Sequence, residues 1–246
     1  MILTENLSKS FGDKAAVDEL NLKIEKGTFF CFLGPNGAGK TTTIKMLTGL
    51  LKPSVGRALI GGYDIQKEPL NAKRVIGYVP DQPFLYDKLT GREFLRFVAG
   101  LFQLSSDEFI EKSEYLLDLF NLTDVADQLI EDYSHGMRQK LSFTGCFIHD
   151  PKIIVVDEPW VGLDPKNIRF IKDFLKDKTR RDGLTVFMST HSLGIAEEIA
   201  DTIAIINNGK LLHRGSVTEI KELHKLSGSF EDVFLALTSE SPGEGE

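Results

Sequence analysis

The sequence predicts an α/β fold: a largely parallel sheet wrapped by helices, with an antiparallel β unit on one side and an inserted helical lobe. Three observations carry this. Short β-rich runs recur at Phe29–Leu33 (FFCFL), Val75–Val79 (VIGYV), Ile153–Val156 (IIVV), Thr185–Ser189 (TVFMS) and Thr202–Ile206 (TIAII). Several are apolar on consecutive positions, as strands buried on both faces of a parallel sheet must be. Helical patterns follow at least three of them, at Lys40–Leu51, Lys166–Arg181 and Leu193–Ala200, which is the alternation of βα units. Between Leu89 and about His149 there is no strand-like run, only amphipathic helical pattern at Gly91–Leu104, Ser106–Phe120 and Gly136–His149.

Taken in order, the first 30 residues alternate apolar and polar side chains in ILTENLSKSF and LNLKIEKG, the period of an antiparallel strand pair. The core strands and the helical insertion follow. From Lys210 to Leu237 the pattern reads as a hairpin-like strand and a last helix, GSFEDVFLALT. The tail SESPGEGE, Ser239 to Glu246, has the composition of a solvated, flexible acidic segment.

Bulk composition narrows the function classes. The chain has 246 residues, 41% hydrophobic and 26% charged, ordinary for a globular protein. Lys plus Arg number 29 against 36 Asp plus Glu, a net charge of −7. A nucleic-acid-coating protein carries the opposite sign, so no nucleic-acid partner is expected. MILTENLSKSF is polar within its first residues and lacks the apolar stretch of a secretory signal. No run approaches the ~18–20 apolar residues of a membrane span. Cys31 and Cys146, each inside an apolar segment, read as buried thiols of a reducing cytoplasm. Any membrane role is then expected to run through a partner.

Residues 34–42 read GPNGAGKTT, which satisfies G-x-x-x-x-G-K-[ST]. The strand-like FFCFL precedes it and a helical segment follows, the context a phosphate loop requires. Glycines let backbone N–H groups converge on an anion, and the helix N-terminus adds favourable potential. Lys40 is expected to reach the β- and γ-phosphates and Thr41 to offer its hydroxyl to Mg²⁺. IIVVDEP, Ile153 to Pro159, places Asp157 at the tip of a buried strand, where it would hold Mg²⁺ through its water shell. Glu158 is the candidate to orient or deprotonate an attacking water. Phe11, before the turn residue Gly12, could stack on adenine. His191 follows the strand TVFMST, so its imidazole is expected at the carboxyl end of the sheet, where ligands bind in such folds. Gln82, in VPDQPF, also follows a strand, and its amide could contact both Mg²⁺ and the attacking water.

Together these pieces resemble the nucleotide-binding subunit of ATP-binding-cassette (ABC) transporters, over nearly the whole chain and in the family's order. The resemblance implies a P-loop NTPase (RecA-like) core with an antiparallel β subdomain and an inserted α-helical subdomain. It matches Phe11 to the aromatic A-loop; Gly34, Pro35, Asn36, Gly37, Ala38, Gly39, Lys40, Thr41 and Thr42 to the Walker A loop; and Gln82 to the Q-loop. Walker B is Ile153–Asp157 with catalytic Glu158, the D-loop is Gly162-Leu163-Asp164, and the switch histidine is His191.

YSHGMRQKL, Tyr133 to Leu141, is similar to the family's signature, usually LSGGQ. Tyr133 stands for Leu, His135 for the first Gly and Met137 for Gln, while Ser134 and Gly136 remain. His is among the side chains that best tolerate unusual backbone angles, so the loop is expected to form. In the D-loop, Trp160 and Val161 stand where Thr and Ser are common. In this family Ser134 and the amides after it face the γ-phosphate held by another subunit, so two chains close head-to-tail over two ATP molecules.

The resemblance implies one ATPase domain over residues 1–238, with 1–88 and 150–238 as α/β core and β subdomain, 89–149 as helical subdomain, and 239–246 as tail. DKLTGREFLRFVAGLFQL and GSFEDVFLALT look like the ATPases of ABC-2-type exporters, and the sequence stops soon after the core, without the regulatory domain of many sugar importers. Phe84, Leu85 and Tyr86 form an apolar cluster that would either dock a short helix of the permease or belong to the lobe's own core. The expected activity is ATP hydrolysis with Mg²⁺, driving export of a drug, peptide, ion or polysaccharide. The expected place is the inner face of the cell membrane, bound to a permease. The rival from another class is a soluble ABC ATPase of translation or DNA maintenance.

Overall fold

A computed structural model describes residues 1–160, 163–223 and 229–239. Val161, the D-loop's Gly162 and tail residues 240–246 lie outside the described residues. Ser239, expected to begin the tail, is instead the last residue of a helix.

In chain order the elements are β1 (Ile2–Phe11), β2 (Lys14–Ile24), β3 (Phe29–Leu33), α1 (Lys40–Leu47), β4 (Val55–Ile60), β5 (Tyr63–Asp64), α2 (Pro69–Arg74) and β6 (Ile76–Val79). Then come α3 (Gly91–Leu101), α4 (Ser106–Leu119), α5 (His135–Phe147), β7 (Ile153–Asp157), α6 (Pro165–Asp182) and β8 (Thr185–Thr190). The last are α7 (Leu193–Ile199), β9 (Thr202–Asn207), β10 (Lys210–Gly215), α8 (Val217–Leu223) and α9 (Phe230–Ser239).

Two sheets result. The smaller runs β2-β1-β4-β5 and is antiparallel. The larger runs β10-β9-β3-β8-β7-β6; its strands pair in parallel, except for β10 on β9. The consecutive apolar runs are explained by two separate cores, one on each face of this sheet. Phe29, Cys31 and Leu33 of β3, with Ile154 and Val156 of β7, join the core under α3–α6. Phe30 and Phe32, with Ile153 and Val155, join the core shared with α1 and the smaller sheet. Strand alternation sends successive side chains to opposite faces, so every position must be apolar. Both cysteines are free and buried, and burial raises their thiol pKa.

Parallel registry aligns the strand ends. Leu33 pairs with Thr190, Asp157 with Ser189 and Leu33 with Ile205. The segments following β3, β6, β7, β8 and β9 therefore open on one edge of the sheet.

Helix ends depart from simple periodicity for local reasons. The first helix stops at Leu47 rather than Leu51 because Gly49 adopts φ +71°, and the N–H groups of Leu50 and Leu51 turn back to the Lys45 carbonyl. The helix from Gly91 ends at Leu101, where Gln103 takes φ +61°. Thr90 with Glu93, and Ser105 with Glu108, form capping boxes that fix the starts of α3 and α4. No described helix is long and apolar enough to cross a membrane.

Candidate nucleotide site

At the aligned strand ends lies a cleft of about 540 Å³. Phe11, Lys14, Asn36, Gly37, Gly39, Lys40, Thr41, Thr42, Asp81, Glu158 and Asn208 are among the residues that line it. The loop from Gly34 to Gly39 carries the chain from β3 into α1, whose first-turn N–H groups have no partner within the helix. Gly39 takes φ +109°, and a Cβ there would come within 2.5 Å of the Ala16 carbonyl. Backbone conformation and space both demand glycine at that position.

Lys40 is buried. Its Nζ donates to the Gly34 carbonyl at 2.7 Å and the Pro35 carbonyl at 3.2 Å, and lies 3.7 Å from Glu158 Oε1. Burial lowers its pKa, while the charges of Glu158 and Asp157 oppose that shift. Asp157, 1% exposed, accepts a hydrogen bond from Ser189 Oγ on Oδ1, and the nearby Thr41 side chain favours its charged form. Its pKa is raised, first by burial, and Asp81 and Glu158 add to the shift.

Glu158 stands at φ +43°, a left-handed conformation costing a non-glycine residue about 1 kcal/mol or more. That turn is held by its N–H donating to the Ser189 carbonyl at 3.2 Å. The side chain lies between two partners: Oε2 is 2.9 Å from His191 Nδ1, and Oε1 faces Lys40.

Two buried carboxylate oxygens here, Asp157 Oδ2 and Glu158 Oε1, have no hydrogen-bond partner. Unmatched oxygens at a phosphate-loop cleft, beside the Thr41 hydroxyl, fit a hydrated divalent cation and a nucleotide's phosphates. Hard oxygen donors are what Mg²⁺ takes.

The Gly34–Thr42 loop, Asp157, Glu158 and His191 thus share one edge of the larger sheet, and Phe11, at the end of β1 in the smaller sheet, lines the cleft there. Gln82 is exposed and, like His191, outside the cleft lining, to which its neighbour Asp81 contributes; unlike His191, it forms no hydrogen bond or ion pair with Glu158 among the described residues. Both residues lie in a bend after β6 ends at Val79, so strand alternation does not fix which side chain enters the cleft. Position just past a strand applies equally to Asp81 and Gln82 and does not separate them.

Ser134, Gly136 and Asp164 also lie outside this cleft, close to one another. Ser134 caps α5, accepting from the Met137 N–H at 3.3 Å. Asp164 caps α6, accepting from the Asn167 N–H at 2.9 Å. A Cβ on Gly136 would lie 3.8 Å from Leu163 and 3.9 Å from Asn167. The departures in this segment have local explanations. Tyr133 is buried and its hydroxyl donates to the Val125 carbonyl at 2.7 Å, a hydrogen bond Leu could not make. His135 is the first residue of α5 and is not among the positive-φ residues, so the unusual backbone expected of it is not required. Gln139, which sequence reading passed over, is 1% exposed and reaches the Pro159 carbonyl at 3.5 Å, tying α5 to the segment after Glu158.

Between the core and the helical segment runs a second, apolar groove of about 450 Å³, lined by Leu50, Tyr78, Phe84, Leu85, Val98 and Phe102 among others. Phe84 is 82% exposed and Tyr86 56%, whereas Leu85 packs on the core.

Comparison with known proteins agrees with this geometry. A family model described as "ABC transporter" matches residues 17–161. The chain is 43% identical over 212 residues to the uncharacterized ABC transporter ATP-binding protein YhcH of Bacillus subtilis (strain 168), covering 85% of this chain and 67% of that one. It is 35% identical over 239 residues to the SkfA peptide export ATP-binding protein SkfE of the same organism, covering 94% and 99%. Among solved structures, a dimeric post-hydrolysis state of the ATP-binding cassette MJ0796 with ADP and Pi superposes with a TM-score of 0.81 at 26% identity, covering 88% of this chain and 98% of that one.

Proposed function

The chain belongs to the ABC transporter family as an ATP-binding, ATP-hydrolysing subunit, and from that premise we propose that it energises export through a separate membrane permease by ATP-driven closure of a head-to-tail dimer. One observation carries the reading. The phosphate loop and Glu158 line a cleft, with His191 against Glu158, that Ser134 and Gly136 do not enter, so in this reading each chain holds part of a site and a second chain completes it. The dimeric cassette structure supports this.

In this reading Phe11 stacks on the adenine, and the amides from Gly34 to Thr42 surround the phosphates, with Lys40 drawn from the loop carbonyls onto them. Thr41 and Asp157 hold the Mg²⁺, which when bound neutralises phosphate charge and polarises the γ-phosphoryl group. Glu158 orients the attacking water and takes its proton. His191 keeps the Glu158 carboxylate aimed. The Ser134 hydroxyl and first amides of α5 of the opposing chain cover the γ-phosphate, and Asp164 fixes the start of α6 beside them. Residues 1–88 and 150–238 act as the core and 89–149 as the lever between nucleotide and permease.

The permease docks a short helix in the apolar groove, anchored by exposed Phe84 and Tyr86. Closure pulls the permease halves together, and hydrolysis resets them. The chain so acts at the inner face of the membrane. Export follows from the similarity to SkfE, whose name specifies peptide export; the cargo class is a drug, peptide, ion or polysaccharide. A soluble role in translation or DNA maintenance is not what the transporter relatives support.

Sedimentation velocity of Glu158→Gln tests the closure. ATP is expected to convert monomer to dimer, and ADP is not. A chain that stays monomeric at saturating ATP would contradict the head-to-tail reading.

A further inference from the structure

Two side chains near Glu158 in the fold, each more than nine-tenths buried, carry polar atoms without a hydrogen-bond partner. Gln139 on α5 has an amide oxygen, Oε1, that accepts nothing, and Trp160, two residues past Glu158, has an indole N–H that donates to nothing. One is an acceptor and the other a donor. Their segments touch, because Gln139 Nε2 reaches the Pro159 carbonyl, part of the peptide group leading into Trp160, at 3.5 Å. That contact is longer than the usual N–H···O range of about 2.7–3.2 Å, so the amide lies against this segment without being seated on it. On either side the backbone is pinned: the Glu158 N–H donates to the Ser189 carbonyl at 3.2 Å, and the Leu163 N–H to the Trp160 carbonyl at 3.3 Å. Buried polar groups are paired almost throughout folded proteins, so a matched donor and acceptor left over on touching segments call for an explanation.

We propose that Trp160 is a positioning residue for Glu158: when Ser134 and the first amides of α5 engage the phosphates held by the opposing chain, α5 shifts and the Trp160 indole N–H donates to the Gln139 amide oxygen. This rests on the head-to-tail reading above. Gln139 follows Ser134 by five residues on α5, and Trp160 follows Glu158 by two. One hydrogen bond therefore ties the helix that meets the partner's nucleotide to the segment that aims the water-activating carboxylate. The indole can only donate, so the bond has one sense and one acceptor to find. Neither side chain lines the nucleotide cleft, so the pair acts on turnover and leaves affinity alone. The departure from Thr at Trp160 thereby gains a role.

Trp160 is the chain's single tryptophan, so its indole gives one ¹H–¹⁵N resonance that reports this pairing alone. Mg²⁺ with the non-hydrolysable analogue AMP-PNP is expected to move that proton downfield in the wild-type chain. Gln139→Met, close to Gln in size, is expected to abolish the shift. In steady-state phosphate release, Trp160→Phe and Gln139→Met are each expected to lower kcat by roughly tenfold with KM unchanged. The double variant should lose no more than either single one, as the two halves of one interaction do. Losses that multiply, wild-type turnover in Trp160→Phe, or a shift that survives in Gln139→Met would overturn the proposal alone. So would an indole signal that stays in place while sedimentation shows the dimer closing, a result that stands even where a variant fails to fold. If nucleotide neither closes the dimer nor moves the signal, the proposal falls together with the head-to-tail reading.

Discussion

Glu158 and His191 meet twice: Nδ1 of the imidazole lies 2.9 Å from Oε2 of the carboxylate, and the His191 backbone N–H donates to the same oxygen at 3.3 Å. The carboxylate's other oxygen is left facing Lys40, without a hydrogen bond. One end of Glu158 is thus held and the other is available, the arrangement a positioned base requires.

Glu158→Gln keeps the shape and removes the base. Steady-state phosphate release should fall by about 10²-fold or more, while binding of a fluorescent ATP analogue persists. Turnover near the wild-type rate would remove Glu158 from its role.

His191→Ala removes the imidazole from the held oxygen, leaving only the backbone N–H there, without touching the phosphate loop. A large loss of kcat with little change in KM is expected, since the imidazole positions the carboxylate rather than the substrate. An affinity loss equal to the rate loss would place His191 on the nucleotide instead.

Lys40→Ala and Phe11→Ala separate the two ends of the nucleotide. Removing the lysine strips a charged donor from the phosphates and should cost about 1.5–3 kcal/mol of affinity. Removing the ring should cost about 1–3 kcal/mol, the range for stacking of a base on an aromatic side chain. If both variants titrated like the wild-type chain, the cleft would not be the nucleotide site.

Asp157 gives a pH signature. Burial raises its folded-state pKa, so the folded protein holds a proton that the unfolded chain has released once pH exceeds the ordinary value of 3.8. Stability is therefore lost as pH climbs from that value through the raised one. Without nucleotide or metal, Asp157→Asn should melt above the wild-type chain at neutral pH, with the gap closing in acid. Mg²⁺ with AMP-PNP should stabilise the wild type more than the variant, because a ligand stabilises only the state that binds it. Equal stabilisation would argue against Asp157 as a metal-holding residue.

Much of this was legible in the sequence. The strands FFCFL and IIVVD announced themselves because burial on both faces forces unbroken apolar runs, and the residues that follow such runs lie at the ligand-binding edge. Helix ends were less legible: Leu47 ends α1 through the left-handed Gly49, a backbone event that periodicity does not encode. The choice between Asp81 and Gln82 was also hidden, since it depends on which way a side chain turns after the strand. Tyr133 looked like a departure from the signature and is a buried ring with a hydroxyl bonded to Val125, a pairing visible only once the lobe is folded.

The most direct measurement is a pull-down from detergent-solubilised native membranes, with Glu158→Gln as bait in ATP and Glu158→Gln/Phe84→Asp beside it. Recovery of a multi-span membrane protein by the first bait and its loss with the second is the expected result, and the identity of that protein would narrow the cargo. Recovery of ribosomes or DNA-bound factors, with no membrane protein in either lane, would contradict the transporter role.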